Sequence, residues 1–169
     1  SKENVEKFNT NDEEYIMNNY VKKVERFGQV YFAFINKFNL LQPLALLATR
    51  FYVGWVFFAS GLTKLRDWES TLFLFEEEYA VPFINFELAA WLGTAGELIL
   101  PVLLFLGLGG RFSAAGLSIV NIVAVISLEA IAPAALTLHV LWGVLLAQIV
   151  LWGSGAISID RFLKWKFFS

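Results

Sequence analysis

Residues 86–108 read FELAAWLGTAGELILPVLLFLGL, and the reading of this run decides the fold. At about 1.5 Å per residue, a helix of this length crosses a hydrocarbon core of about 30 Å. Asn85 just before it suits an N-cap, and Gly107, Gly109 and Gly110 just after it suit a tight turn. Apart from Glu87 at its edge, the run carries a single charge, Glu97, near its middle. A membrane protein keeps a charge at that depth only where it has a partner, a cavity or a task.

Working outward, three more apolar runs cover about residues 44–63, 112–128 and 134–153. The predicted fold class is therefore all-α: an integral membrane four-helix bundle. The whole composition agrees, since 57% of residues are hydrophobic, 17% are aromatic and the mean hydropathy is +0.60, well above a soluble domain. Short loops make spans two and three, and three and four, antiparallel neighbours. Four spans without a broken helix leave little room for alternating access.

The one long connection, residues 64–85, has a pattern of its own. Asp67 is placed to cap a helix whose apolar positions Trp68, Leu72, Phe75 and Tyr79 follow helical spacing, which predicts a short interfacial helix between spans one and two, ending near Val81-Pro82. Ahead of the first span, residues 14–38 carry a stripe of Ile16, Tyr20, Val24, Phe27, Tyr31, Phe34 and Phe38, with Lys22, Lys23, Arg26 and Lys37 on the other face. This is an amphipathic helix suited to the membrane surface or to docking on a partner. Gln42-Pro43 ends it. Residues 1–13 are polar and expected to be loosely ordered, and they do not read as a signal peptide. The chain thus divides into residues 1–42 (tail and amphipathic helix), 43–160 (bundle) and 161–169 (a basic and aromatic interfacial tail). Just ahead of that last part, Ser158 or Asp160 is placed to cap a short final helix.

The basic residues orient the chain. With the N-terminus inside, Lys22, Lys23, Arg26, Lys37, Arg111, Arg161, Lys164 and Lys166 gather on one side, against Lys64 and Arg66 on the other. A multi-pass protein of the bacterial inner membrane with both termini cytoplasmic is expected. Small residues Gly110, Ala114 and Ser118, and Ala89 and Gly93, make faces where helices approach closely, for bundle packing or for homo-oligomerisation.

Counting residues excludes several chemistries for this chain alone. It has no Cys and a single His, so it supplies no thiolate nucleophile, no Cys-ligated Fe–S cluster and no pair of axial haem ligands. No metal site and no covalently bound cofactor are expected. A net charge of −2 without a basic stripe excludes nucleic acid. Gly153-Ser154-Gly155 follows an apolar span rather than a strand and lacks the Lys of a phosphate loop.

The candidate ligand-binding residues are Arg50, Glu97, Lys64, Glu129 and His139. Counted from the cytoplasmic ends of their spans, Arg50 and Glu97 differ in depth by about 7 Å, a gap an extended arginine closes, so an ion pair is expected. That pair is either an internal tie or a polar site that grips a quinone carbonyl or relays a proton, and the remaining alternative is an Arg50 that snorkels to the headgroups alone. Lys64, Glu129 and His139 lie at the outer ends of three spans, where an imidazole beside a carboxylate would shuttle protons or orient a quinol. Asn121 and Gln148 read as hydrogen-bonding glue between helices.

The order Arg50-(x)3-Gly54-(x)2-Phe57-(x)3-Gly61-(x)2-Lys64, then Trp68, Val81-Pro82, Glu97, Gly107 before Arg111, and Gly153-x-Gly155-(x)2-Ser158-x-Asp160 resembles the DoxX family of small four-span membrane proteins. In that family the turn after the last span usually reads Gly-Pro-Gly, and Ser154 replaces the Pro here. The resemblance marks Arg50, Lys64, Glu97 and Arg111. It implies an accessory subunit of a redox-linked, quinone-associated membrane complex, with quinone as ligand, the lipid bilayer and membrane subunits as partners, and no fixed enzymatic activity. The alternatives are a structural or assembly subunit, or a maturation factor for a copper-binding modified peptide, the subgroup that residues 61–125 look most similar to.

Overall fold

A computed structural model describes residues 2–39, 41–79, 81, 83–128 and 130–168. The chain falls into two units, Ser1–Gln42 and Pro43–Ser169.

The first unit is the helix α1, Lys2–Asn39. It starts well before the expected residue 14, because no Gly or Pro interrupts the sequence until Gly28. Its aromatic stripe is exposed, with Phe27 at 75%.

The second unit is an all-helical bundle. Its helices are α2 (Gln42–Arg66), α3 (Trp68–Glu77), α4 (Phe86–Leu106), α5 (Gly110–Ile126), α6 (Pro133–Trp152) and α7 (Ile159–Phe168). Pro43 and Pro133 stand in the first turns of α2 and α6, where a missing N–H costs nothing. Asp67 caps α3, accepting from Ser70 N at 3.0 Å and from Ser70 Oγ at 2.6 Å, and these two bonds hold its carboxyl below the ordinary value of 3.8. Asn85 caps α4 by accepting from Leu88 N at 2.9 Å. Helices α4 and α6 are long and apolar enough to span a membrane, as is the stretch that contains α2, and α5 is a shorter apolar helix.

The core sits among α2, α4, α5 and α6, where Val53, Phe57, Leu104, Leu117, Leu146 and Ile149 are buried. Burying such side chains stabilises by about 1.5–3 kcal/mol each. Antiparallel α4 and α5 set the register: Gly96 lies against Val120 and Gly116 against Leu100. Helix α2 is offset from α4, since Gly54 faces Phe105 and Gly61 faces Leu98 and Glu97. Its first two turns therefore extend past the C-terminus of α4, and it stops short of α4's beginning. There α3 takes its place, seating Phe75 against Ala89 and Ala90, with Trp68 and Trp91 rings 4.4 Å apart. An isolated antiparallel bridge between Tyr79 and Leu128 joins the chain after α3 to the end of α5.

Candidate functional site

Two polar constructions lie about 16 Å apart along the bundle. At the first, Arg50 is buried to 1% exposure and donates only to backbone. Its Nε donates to Leu104 O at 2.9 Å and its Nη2 to Phe105 O at 2.7 Å, while Nη1 serves Ser154 O and Ile157 O, both at 2.7 Å. Two of these oxygens belong to the last turn of α4, where the cap N–H of Gly107 serves Leu104 O at 3.1 Å and the negative end of the helix dipole gathers. A guanidinium, with five donors in a planar fork, matches such an array.

Gly107 makes room for it with a left-handed φ of 65°, where an added Cβ would stand 2.7 Å from Arg50 Nη2. Asp160 completes the knot. Its Oδ1 accepts from Gly109 N at 2.8 Å, and its Oδ2 accepts from Gly110 N and Ser154 Oγ, both at 3.1 Å. The start of α5 is thus capped from the first turn of α7.

The expected pairing of Arg50 with Glu97 is not what the structure builds. Glu97 lies with Gly61, eleven residues along α2 from Arg50, which is about 16 Å of helix. Counting from span ends assumed that the start of α2 lies level with the end of α4, and their offset breaks that assumption. Glu97 pairs instead with Lys64, whose Nζ stands 2.6 Å from Glu97 Oε2 and 2.9 Å from Ser60 Oγ.

This second construction opens onto a cavity of about 440 Å³ between α3, α4 and α5. Lys64 and Glu97 are its charged residues, and the walls are otherwise aliphatic and aromatic apart from Tyr79 and Ser127. Ser127 is 2% exposed, and its Oγ has no hydrogen-bond partner among the described residues. Tyr79, beyond the spans, has its phenol held above the ordinary value first by burial and then by Glu97. The freely exposed lining residues Phe83, Ile84, Leu92, Ile119 and Ile126 are all apolar, so the mouth faces hydrocarbon rather than water. The volume falls within the range of small-molecule sites.

Of the outer cluster expected from Lys64, Glu129 and His139, the described residues Lys64 and His139 each have another partner. Lys64 turns to Glu97, and Glu129 lies outside the described residues. His139 Nδ1 instead meets Asn121 Oδ1 at 2.8 Å, while Asn121 Nδ2 donates to His139 O at 2.9 Å. The imidazole edge packs on Trp142, 4.9 Å between ring centres. Asn121 thus ties α5 to α6, as its place in the span predicts. Arg111 donates to Leu151 O at 3.2 Å and covers the end of α6. Sequence reasoning missed Ser127, whose burial depends on how α5 ends, and the knot made by Asp160, although its place in the Gly-x-Gly-(x)2-Ser-x-Asp turn was a usable signal. On α1, Ile16, Tyr20, Val24, Phe27, Tyr31 and Phe34 are all exposed.

Comparison with known proteins bears on residues 45–130, which match the DoxX family model. That segment contains Arg50, both members of the Lys64–Glu97 pair and the entire cavity lining. A protein of Haemophilus influenzae (strain ATCC 51907 / DSM 11121 / KW20 / Rd), described as uncharacterized, is 32% identical over 134 residues, covering 72% of this chain and 84% of the relative. No solved structure matches. A bundle of apolar helices in contact with the bilayer, carrying this match and this relative, belongs to the DoxX family.

Proposed function

We propose that this chain is an accessory subunit of a quinone-linked redox complex, holding a lipid-soluble ligand in the cavity at Lys64–Glu97 and leaving electron transfer to a partner. One observation carries the reading: the ion pair buried among the spans lines a cavity whose mouth is apolar. A quinone carbonyl would accept from Lys64 Nζ, a quinol hydroxyl would donate to Glu97, and the isoprenoid tail would leave through the mouth into the hydrocarbon. With no Cys and one His, the chain offers no redox centre of its own side chains, so the ligand and the partner carry the electrons.

The test is purification from the native membrane in mild detergent, followed by solvent extraction and mass spectrometry. Quinone is expected at close to one per chain, falling severalfold in Glu97→Gln. A folded, quinone-free protein that retains partner proteins would favour the second reading, an assembly subunit docked through the exposed aromatic stripe of α1. In that case removal of residues 1–39 strips the partner and leaves the bundle folded.

We also place the protein in the bacterial cytoplasmic membrane with the Arg50 end inside, because Arg111, Arg161, Lys164 and Lys166 gather on that side. The chain has no Cys to remove, so single cysteines report directly. Glu77→Cys should react with a membrane-impermeant thiol reagent added to spheroplasts, and Lys164→Cys should not. The opposite pattern reverses the orientation.

A further inference from the structure

We propose that the cavity selects its ligand by head charge: it takes an uncharged, hydroxyl-bearing, lipid-soluble molecule and rejects anionic and cationic amphiphiles. The inference rests on the siting of a ligand at Lys64–Glu97 and adds the chemistry of its head.

The charged groups of the lining, Lys64 and Glu97, stand 2.6 Å apart and cancel. A head arriving there meets a dipole, with no net charge to answer its own. Around the pair the walls are Gly93, Val120, Val123 and Ala124, which offer a charged head no compensation. The pair nevertheless has unused hydrogen-bonding capacity. Lys64 Nζ donates to Glu97 Oε2 and Ser60 Oγ, which leaves one N–H, and a carboxylate has about four lone-pair positions. A donor beside an acceptor complements a group that both accepts and donates, and a hydroxyl does both.

A second observation also points to a ligand. Ser127 is among the residues that line the cavity, and its Oγ is buried without a partner among the described residues. The α4–α5 register puts it level with Ala89, eight residues from Glu97, or about 12 Å along the cavity. A ligand that reaches this end of the cavity would bring Ser127 a partner that the described residues do not supply. Entry is from the bilayer, because the mouth is lined by Leu92, Ile119 and Ile126.

The test uses the full-length protein in nanodiscs with three probes carrying the same diazirine-bearing tail: hexadecanol, hexadecyl sulfate and hexadecyltrimethylammonium. Photolabelled peptides are mapped by mass spectrometry. The alcohol should label the α4 and α5 walls at least about tenfold more than either charged probe, as expected for a site where an unpaired charge is strongly disfavoured. Glu97→Gln, which strands Lys64, should raise sulfate labelling and lower the alcohol-to-sulfate ratio by about tenfold. Ser127→Ala should leave alcohol labelling and the ratio unchanged, because the single hydroxyl of the alcohol is held at Lys64–Glu97, about 12 Å away. Equal labelling by a charged probe in the unmodified protein overturns the proposal, and that arm decides even where Glu97→Gln does not fold.

Competition separates the sources of a neutral head. Displacement of the alcohol by decylubiquinol supports the proposal with a quinol as ligand. Displacement by a monoacylglycerol alone supports the proposal and removes the quinone-linked function. Displacement by neither overturns head recognition.

Discussion

Replacing Arg50 with alanine should cost the bundle at least about 3 kcal/mol, a large fraction of the roughly 5–15 kcal/mol that holds a domain folded. Four carbonyl oxygens lose a charged donor at once: Leu104 O, Phe105 O, Ser154 O and Ile157 O. Hydrogen bonds to a charged group are worth about 1.5–3 kcal/mol each, and no water reaches a side chain at 1% exposure to replace them. Arg50→Lys should not rescue. An ammonium has three donors at one point, whereas the four acceptors surround a planar fork. Asp160→Asn should be milder, since an amide oxygen still caps Gly109 or Gly110 while one of its acceptor positions becomes a donor facing N–H groups. Thermal unfolding in detergent should rank the variants in that order. An Arg50→Lys protein that melts with the unmodified one would show that charge alone, without the fork, holds the two turns together.

The fold was legible because its signals are local and strong. Four apolar runs, the caps Asp67 and Asn85, and the prolines at Pro43 and Pro133 each specify one element within a few residues. The site was legible only as a set of residues. Arg50, Lys64 and Glu97 are conspicuous because charge is costly inside a span, but which one meets which depends on the stagger between α2 and α4. That stagger is set by the contacts of Gly54 with Phe105 and Gly61 with Leu98, long-range facts that no periodicity contains. A shift of a few residues was enough to exchange Lys64 for Arg50 as the partner of Glu97. Ser127 illustrates the same limit: a serine at the end of a span is ordinary until the chain after α3 pairs with the end of α5. The cavity itself follows from α2 stopping short, so that α3 rather than a spanning helix covers the beginning of α4.

The stagger predicts its own double-mutant result. Glu97→Ala alone strands the Lys64 ammonium at a half-buried site, and Lys64→Ala alone strands a carboxylate that is 7% exposed. Breaking a buried pair by removing one partner typically costs about 3–5 kcal/mol, while removing both costs much less because no charge remains to be solvated. Lys64 keeps some access to solvent and Ser60 as a partner, so the loss on Glu97→Ala should fall at the lower end of that range. The double variant Lys64→Ala with Glu97→Ala should therefore melt above the more damaged single variant, with a coupling of about 1–3 kcal/mol. Arg50→Lys combined with Glu97→Ala should instead be additive within about 0.5 kcal/mol, because the two sites lie about 16 Å apart along the bundle and share no partner. Coupling in the second cycle and none in the first would restore the pairing expected from span ends and move the ligand site away from the cavity. Coupling in the first alone makes Lys64–Glu97 one unit, so a ligand head bound there is recognised by both residues together.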